Sequence, residues 1–234
     1  MDLQALLDDP PRVHEYKGQL MVWGLLRSVL DFIDSHVNER SKTLETGSGL
    51  STILFALKGG SHLCITPSQV EVDRIRDYCN QHNISLQHVD FRVDVSEKVL
   101  PGLGADELDL ALIDGGHGFP IPFMDWYFIS TKLKTGGILI IDDVGIWTGR
   151  ILKEFLHSEP EWKLIEPFAD KTAIFVKEQS YRPSKEWVEQ PYIVQRSDPL
   201  ERHESKFRRG LRLLRRGQIL TFVQKLAREL KGST

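Results

Sequence analysis

Between residues 41 and 178, short apolar runs alternate with longer stretches of mixed polarity. "SKTLETG" reads as a short strand and "LSTILFALKGG" as a helix closed by Gly59 and Gly60. "HLCIT" is a second strand, ended by Pro67 and Ser68, and "QVEVDRIRDYCNQHN" a helix with Val70, Ile75 and Tyr78 toward the core. "LQHVDFRV" is a third, less regular strand. "LDLALID" and "ILIIDDV" are near-continuous apolar runs, as expected of parallel strands buried on both faces, and a helix through "FMDWYFISTKLK" joins them. A helix in "GRILKEFLHS" follows, and "WKLIEPF" and "TAIFVKE" are spaced closely enough to pair as a hairpin. Strands separated by helix-length segments imply βαβ units, hence a doubly wound α/β sheet.

The flanks read differently. "QLMVWGLLRSVLDFIDSHV", residues 19–37, carries Arg27 and Asp31 at helical spacing, so it reads as an amphipathic helix on the core and is too short between charges to span a bilayer. The first residues have neither the basic nor the apolar region of a secretory signal. From Tyr181 the chain turns polar and Pro-punctuated, then strongly basic. Three parts are expected: an N-terminal helical cap at 1–40, a central domain at 41–178, and a polar arm with a basic amphipathic helical tail at 179–234.

Composition narrows the class. With 234 residues, 41% hydrophobic and 27% charged, the chain supports one sizeable core and excludes disorder throughout. The net charge of -3 hides an acidic body and a basic tail. In that tail Phe207, Leu211 and Leu214 form one stripe and Leu220, Val223, Leu226 and Leu230 another. Residues 205–231 therefore suit a membrane surface or a homo-oligomer contact, weakened by Gly210 and Gly217. No nucleic-acid partner is expected, because the basic run lacks interleaved aromatics. Cys64 and Cys79 have no CxxC spacing and read as reduced, buried residues of a cytoplasmic protein, one that the tail would make peripheral to the membrane.

The candidate chemistry begins at "ETGSGLST", residues 45–52. Glycines at a strand's carboxyl end admit a ligand against the backbone, and the helix that follows offers free N–H groups. A dinucleotide fingerprint wants a third Gly where Thr52 stands, and a phosphate loop wants Gly-Lys before Ser or Thr; both are absent. Glu45 just before the glycines repels phosphate and favours a cationic ligand bearing an amino group and a sulfonium.

This loop, followed in order by "CITPSQVEVDRI", "LALIDGGHGFP" and "LKTGGILIIDDV", resembles the class I S-adenosylmethionine-dependent methyltransferases, and within them a small bacterial branch with a DGxH motif after the fourth strand. The resemblance covers about residues 40–178. It implies a Rossmann-like, mostly parallel seven-stranded sheet whose last strand is antiparallel. It also implies that Glu45, Thr46, Gly47 and Gly49 surround the methionine end of S-adenosylmethionine, with Ser51 and Asp114 also at the cofactor; Ser51 and Thr52 read equally as helix caps. The chain departs from the family at the end of strand two, where an acidic residue usually holds the ribose and "CITPS" offers Thr66 and Ser68; Glu71 is an alternative from the next helix. Adenine contacts are expected at Asp94 to Ser96.

In this topology Asp114 ends strand four and Asp142 and Asp143 end its neighbour, so three carboxylates meet at one rim. Such a cluster calls for a cation or raised pKa values, and with no Cys/His cluster the expected ion is Mg²⁺. The arrangement resembles the catechol-type and macrocin-type O-methyltransferases, in which carboxylates at these ends hold Mg²⁺ and a substrate hydroxyl. Their catalytic Lys falls at His117 here, so Asp114 and His117 are the expected catalytic pair, with His117 taking the proton or, equally, fixing its loop. Trp147 is placed as a wall of the substrate pocket or as packing; His14, His62 and the other tryptophans as core, surface or arm residues. The expected activity is O-methylation of a small hydroxylated acceptor, a sugar or secondary metabolite, with N-methylation left open. The competing readings are a non-catalytic cofactor-binding module recruited through its tail and, further off, a dehydrogenase.

Overall fold

A computed structural model describes residues 1–104, 107–165 and 171–197. The chain divides into two units, Met1–Ile193 and Val194–Thr234, and the basic tail, with the membrane or oligomer contact expected of it, lies outside the described residues. Among the described residues no helix is long and apolar enough to cross a membrane.

The chain opens with α1 (Leu3–Asp8), a two-stranded hairpin of β1 (His14–Tyr16) and β2 (Gln19–Met21), and α2 (Arg27–His36). The helix expected over residues 19–37 is therefore confined to its second half, and the helical cap at 1–40 contains a hairpin. Lys17 and Gly18 both adopt positive φ, 50° and 76°, which makes the tight mirror-image turn that matches strand twist. A lysine at the first turn position hides that signal from a reading that looks for Asn-Gly or Asp-Gly.

Alternation then follows: β3 (Lys42–Thr46), α3 (Leu50–Lys58), β4 (Ser61–Thr66), α4 (Gln69–Gln81), β5 (Val89–Val93), α5 (Ser96–Val99), β6 (Leu108–Ile113), α6 (Ile121–Ser130), β7 (Leu133–Ile141), α7 (Trp147–Ser158), β8 (Trp162–Ile165) and β9 (Ala173–Lys177). A short α8 (Pro191–Arg196) ends the described chain. The strand order is β5-β4-β3-β6-β7-β9-β8. All pairs from β5 to β7 are parallel, and β9 runs antiparallel to both β7 and β8. This is the doubly wound, Rossmann-like sheet with a reversed last strand that the sequence predicts.

The apolar runs make sense face by face. Leu110, Leu112 and Ile140 pack with α2 and α3, while Ala111, Ile113, Leu139 and Ile141 pack with α6 and α7. Successive strand residues point to opposite faces, so a sheet covered on both sides needs apolar residues at every position. Each fully buried Leu or Ile contributes about 1.5–3 kcal/mol. In α4 the buried residues are Val72, Ile75 and Cys79; Val70, expected inward, is exposed, because the helix starts at Gln69 and turns its first residue pair to solvent. The "TGG" segment is not a loop: pairing jumps from Leu108↔Leu133 to Leu110↔Ile138, and Gly136 at φ 83° carries the bulge within β7. The arm after Lys177 docks through aromatic rings, Tyr181 against Trp126 and Trp162, and Tyr192 against Phe155.

Candidate active site

Four strand ends form one rim, and the sheet's hydrogen bonding runs past the strands into the loops. Gly47 N donates to Ile65 O at 2.9 Å, Asp114 N to Thr46 O at 3.0 Å, and Asp142 N to Ile113 O at 3.0 Å. A cavity of about 710 Å³ opens over this rim, lined among others by Gly47, Ser48, Gly49, Thr66, Ser68, Glu71, Asp114, His117, Asp143 and Lys171. A second cavity, of about 570 Å³, lies at the opposite, amino ends of the strands. Its basic residues are already engaged, Lys132 with the Leu103 and Gly104 carbonyls and Arg92 with Asp90.

At Gly47, φ is 94°, and an added Cβ would stand 2.3 Å from the Asp114 carbonyl oxygen. Only glycine lets the β3 loop lie against the end of β6 and leave room for a ligand beside both. Glu45 does not line the cavity. It is buried, and its carboxylate is taken up by Ser51 Oγ at 2.7 Å, by the Thr52 hydroxyl and by His62 Nε2 at 3.1 Å. His62, sequestered against Phe55, holds Thr43 Oγ1 through its other nitrogen at 2.8 Å. Glu45 thus fixes the start of α3 from below, while Ser51 reaches the cavity and Thr46 does not.

The carboxylate that does face this end of the cavity is Glu71, from the first turn of α4. It accepts from Ser48 Oγ at 3.0 Å and contacts His14 Nδ1 at 3.1 Å. Burial alone would raise its pKa, but these partners outweigh it and hold the carboxyl below the usual range. Thr66 and Ser68 line the cavity too, with Ser68 also capping α4. Asp94 and Ser96 do not line it: Asp94 is drawn to Val95 N and Lys98 Nζ, and Ser96 opens the unforeseen helix α5. Behind them Asp125 of α6 is fully buried; the Ser96 and Thr46 hydroxyls face it, yet neither of its oxygens closes a hydrogen bond. His14 stacks on Trp23 at 5.5 Å, and both wall the cavity from the N-terminal segment.

Across the cavity stands the acidic rim. Burial, then the charges of Asp142, Asp143 and Glu45, push the Asp114 carboxyl well above its ordinary pKa. Asp142 is almost wholly buried: Lys171 Nζ lies 3.1 Å from its Oδ2, and the Thr172 hydroxyl donates to its Oδ1. Asp143 sits at φ 51°, a conformation aspartate tolerates, and its Oδ2 is 3.3 Å from His117 Nε2. The His117 loop is itself tied down, its carbonyl accepting from Thr148 Oγ1 at 2.5 Å. Trp147 is largely exposed and does not line the cavity.

The groups that converge are therefore Asp114, His117 and Asp143, one ligand atom from each lying within 4.8 Å of the others. The expected metal set of Asp114, Asp142 and Asp143 does not converge, because Asp142, though it borders the cavity, has its two oxygens taken up by Lys171 and Thr172. Mg²⁺ takes oxygen ligands at about 2 Å in near-octahedral geometry. Here one donor is an imidazole, a ligand suited to transition metals, and the Lys171 ammonium stands 3.9 Å from Asp143 Oδ1. The donor set does not fit Mg²⁺.

Residues 44–144 match a family model described as a methyltransferase domain. The match spans 101 of the 234 residues, and over this stretch the chain is similar to methyltransferase domains. Among curated proteins none matches the chain by sequence. Solved structures share the fold of this methyltransferase domain at low identity. A Klebsiella pneumoniae protein named as an O-methyltransferase is 17% identical over 68% of this chain and 84% of its own, with a TM-score of 0.59. A Streptococcus mutans methyltransferase in complex with S-adenosylhomocysteine is 15% identical over 67% and 99%, with a TM-score of 0.52. A Clostridium thermocellum protein named as an rRNA methylase is 15% identical over 69% and 100%, with a TM-score of 0.56. The methyltransferase fold is thus shared by proteins named for different acceptors.

His14, Trp23 and Lys171 escape the sequence reading. For Lys171 a signal exists. A reversed strand beside β7 sets the residues before it against the residues after β7; Ile141 pairs with Ala173, so Asp142 and Asp143 meet Thr172 and Lys171.

Proposed function

We propose that the protein transfers a methyl group from S-adenosylmethionine to a hydroxyl oxygen of a small acceptor, a sugar or secondary metabolite. One observation carries the reading: His117 Nε2 lies 3.3 Å from Asp143 on the rim of the cavity that the Gly47 loop and Glu71 also line. The glycine cradle at Gly47 and the carboxylate of Glu71 suit the methionine end and the ribose of that cofactor. When bound, it supplies an electrophilic methyl group on a sulfonium.

The chain's own part is positioning and proton handling. Asp143 orients the His117 ring. The imidazole then takes the proton as the acceptor oxygen bonds to the methyl carbon and the carbon–sulfur bond breaks, leaving S-adenosylhomocysteine. Asp114, inclined to hold its own proton, donates a hydrogen bond to the acceptor. Trp23 and His14 close the cavity over the cofactor side and exclude water.

The test is to incubate the protein with isotopically labelled S-adenosylmethionine and three acceptor pools: hydroxylated small molecules, amines, and ribosomal RNA. Label on oxygen in the first pool supports the proposal, and label confined to amines or RNA overturns it.

A further inference from the structure

We propose that Lys171 is the rim's own cation, its ammonium held at the carboxyl end of β7 beside Asp142 and Asp143, so that transfer at this site does not use Mg²⁺. The inference rests on the methyltransferase reading above and specifies its electrostatics.

Three contacts fix the ammonium. It lies 3.1 Å from Asp142 Oδ2, 3.9 Å from Asp143 Oδ1 and 3.3 Å from the Gly24 carbonyl oxygen. The first two neutralise the pair of adjacent carboxylates that would otherwise repel each other at the carboxyl end of β7. The third ties in the segment beside Trp23, so the cation also holds the wall of the cavity. Burial alone would ease its proton off, but Asp142, Asp143 and Asp114 outweigh this and keep Lys171 charged. A divalent ion brought to Asp143 meets that ammonium and finds Asp142 engaged on both oxygens by Lys171 and Thr172. The placement is built into the topology, since the antiparallel entry of β9 delivers residue 171 to this rim.

The experiment uses the full chain freed of metal with a chelator, as wild type, Lys171→Met and Lys171→Arg. Thermal unfolding and calorimetric titration are run with MgCl₂, with MnCl₂ and with S-adenosylhomocysteine. In the wild type and in Lys171→Arg, millimolar Mg²⁺ leaves the midpoint unchanged. In Lys171→Met, which unmasks the carboxylates, Mg²⁺ binds at least about tenfold more tightly and raises the midpoint, since selective binding stabilises the folded state. Stoichiometric Mg²⁺ binding to the wild type overturns the proposal, and so does a folded Lys171→Met variant with no gain in Mg²⁺ affinity. Should Lys171→Met not fold, the wild-type titration still decides. Failure of the wild type to bind S-adenosylhomocysteine strikes the cofactor reading instead, and leaves the ion titration to judge Lys171 by itself.

Discussion

Glu71 Oε2 accepts a 3.0 Å hydrogen bond from the Ser48 hydroxyl, joining the first turn of α4 to the glycine loop. On the proposed reading, Glu71, five residues beyond Thr66, takes the ribose-holding role that the resemblance assigns to an acidic group at the end of the second strand. Hydrogen bonds to charged groups contribute about 1.5–3 kcal/mol. Glu71→Ala is therefore expected to weaken S-adenosylhomocysteine binding by about 10- to 100-fold in calorimetric titration, and Glu71→Gln by less. Because its folded pKa is depressed, the stability that Glu71 contributes is present above the ordinary carboxylate range and is lost as pH falls through the depressed value. An unchanged affinity in Glu71→Ala removes the residue from the cofactor site.

Gly47→Ala tests the loop. The new methyl would lie 2.3 Å from the Asp114 carbonyl oxygen, at a φ of 94° that side chains rarely adopt. Strain of this kind costs about 1–3 kcal/mol before any shift of β6. The expected outcome is loss of cofactor binding together with a midpoint lowered by several degrees, at about 2–4 °C per kcal/mol for a domain of this size.

Asp125 gives a pH dependence. Burial raises its carboxyl, and the hydroxyls of Ser96 and Thr46 offset this only in part. Between the ordinary carboxylate value and the raised one, the folded state keeps a proton that the unfolded state has released, so stability falls as pH rises through that window. Asp125→Asn is neutral throughout and nearly isosteric. Its midpoint is expected to fall less steeply than that of the wild type as pH rises through that window. Parallel curves for the two proteins would count against the buried proton.

Glu45 is expected to matter for folding before it matters for binding. Glu45→Ala leaves His62, Ser51 and Thr52 without their shared partner in the core. Leaving a buried polar group without its hydrogen-bond partner costs about 1–3 kcal/mol. Denaturant unfolding should show a loss of that order. A well-folded Glu45→Ala with selectively weakened cofactor affinity would instead make it a ligand contact.

The two thiols should be inert in the native state. Burial and then the charge of Glu45 raise Cys64, and burial pushes Cys79 up to about 11. The thiolate is the reactive form, so alkylation followed by mass spectrometry is expected to modify neither until the protein is unfolded.

The sequence by itself determined the doubly wound sheet, because apolar runs such as "LDLALI" and "ILII" can be buried on both faces only between helices. It also determined that Gly47, Asp114, His117 and Asp143 share one rim, because parallel strands bring their carboxyl ends to one edge. Tertiary structure decided where the side chains of that rim turn. Glu45 turns from the cavity to the Ser51 and Thr52 hydroxyls and His62, and Asp142, at the cavity's edge, is taken up by Lys171 and Thr172. Glu71, His14 and Lys171 reach the cavity from the next helix, an N-terminal hairpin and the turn before the reversed strand, respectively. Such contacts join residues 23 to 57 positions apart, as Ser48 to Glu71 and His14 to Glu71 do, and no local periodicity encodes them.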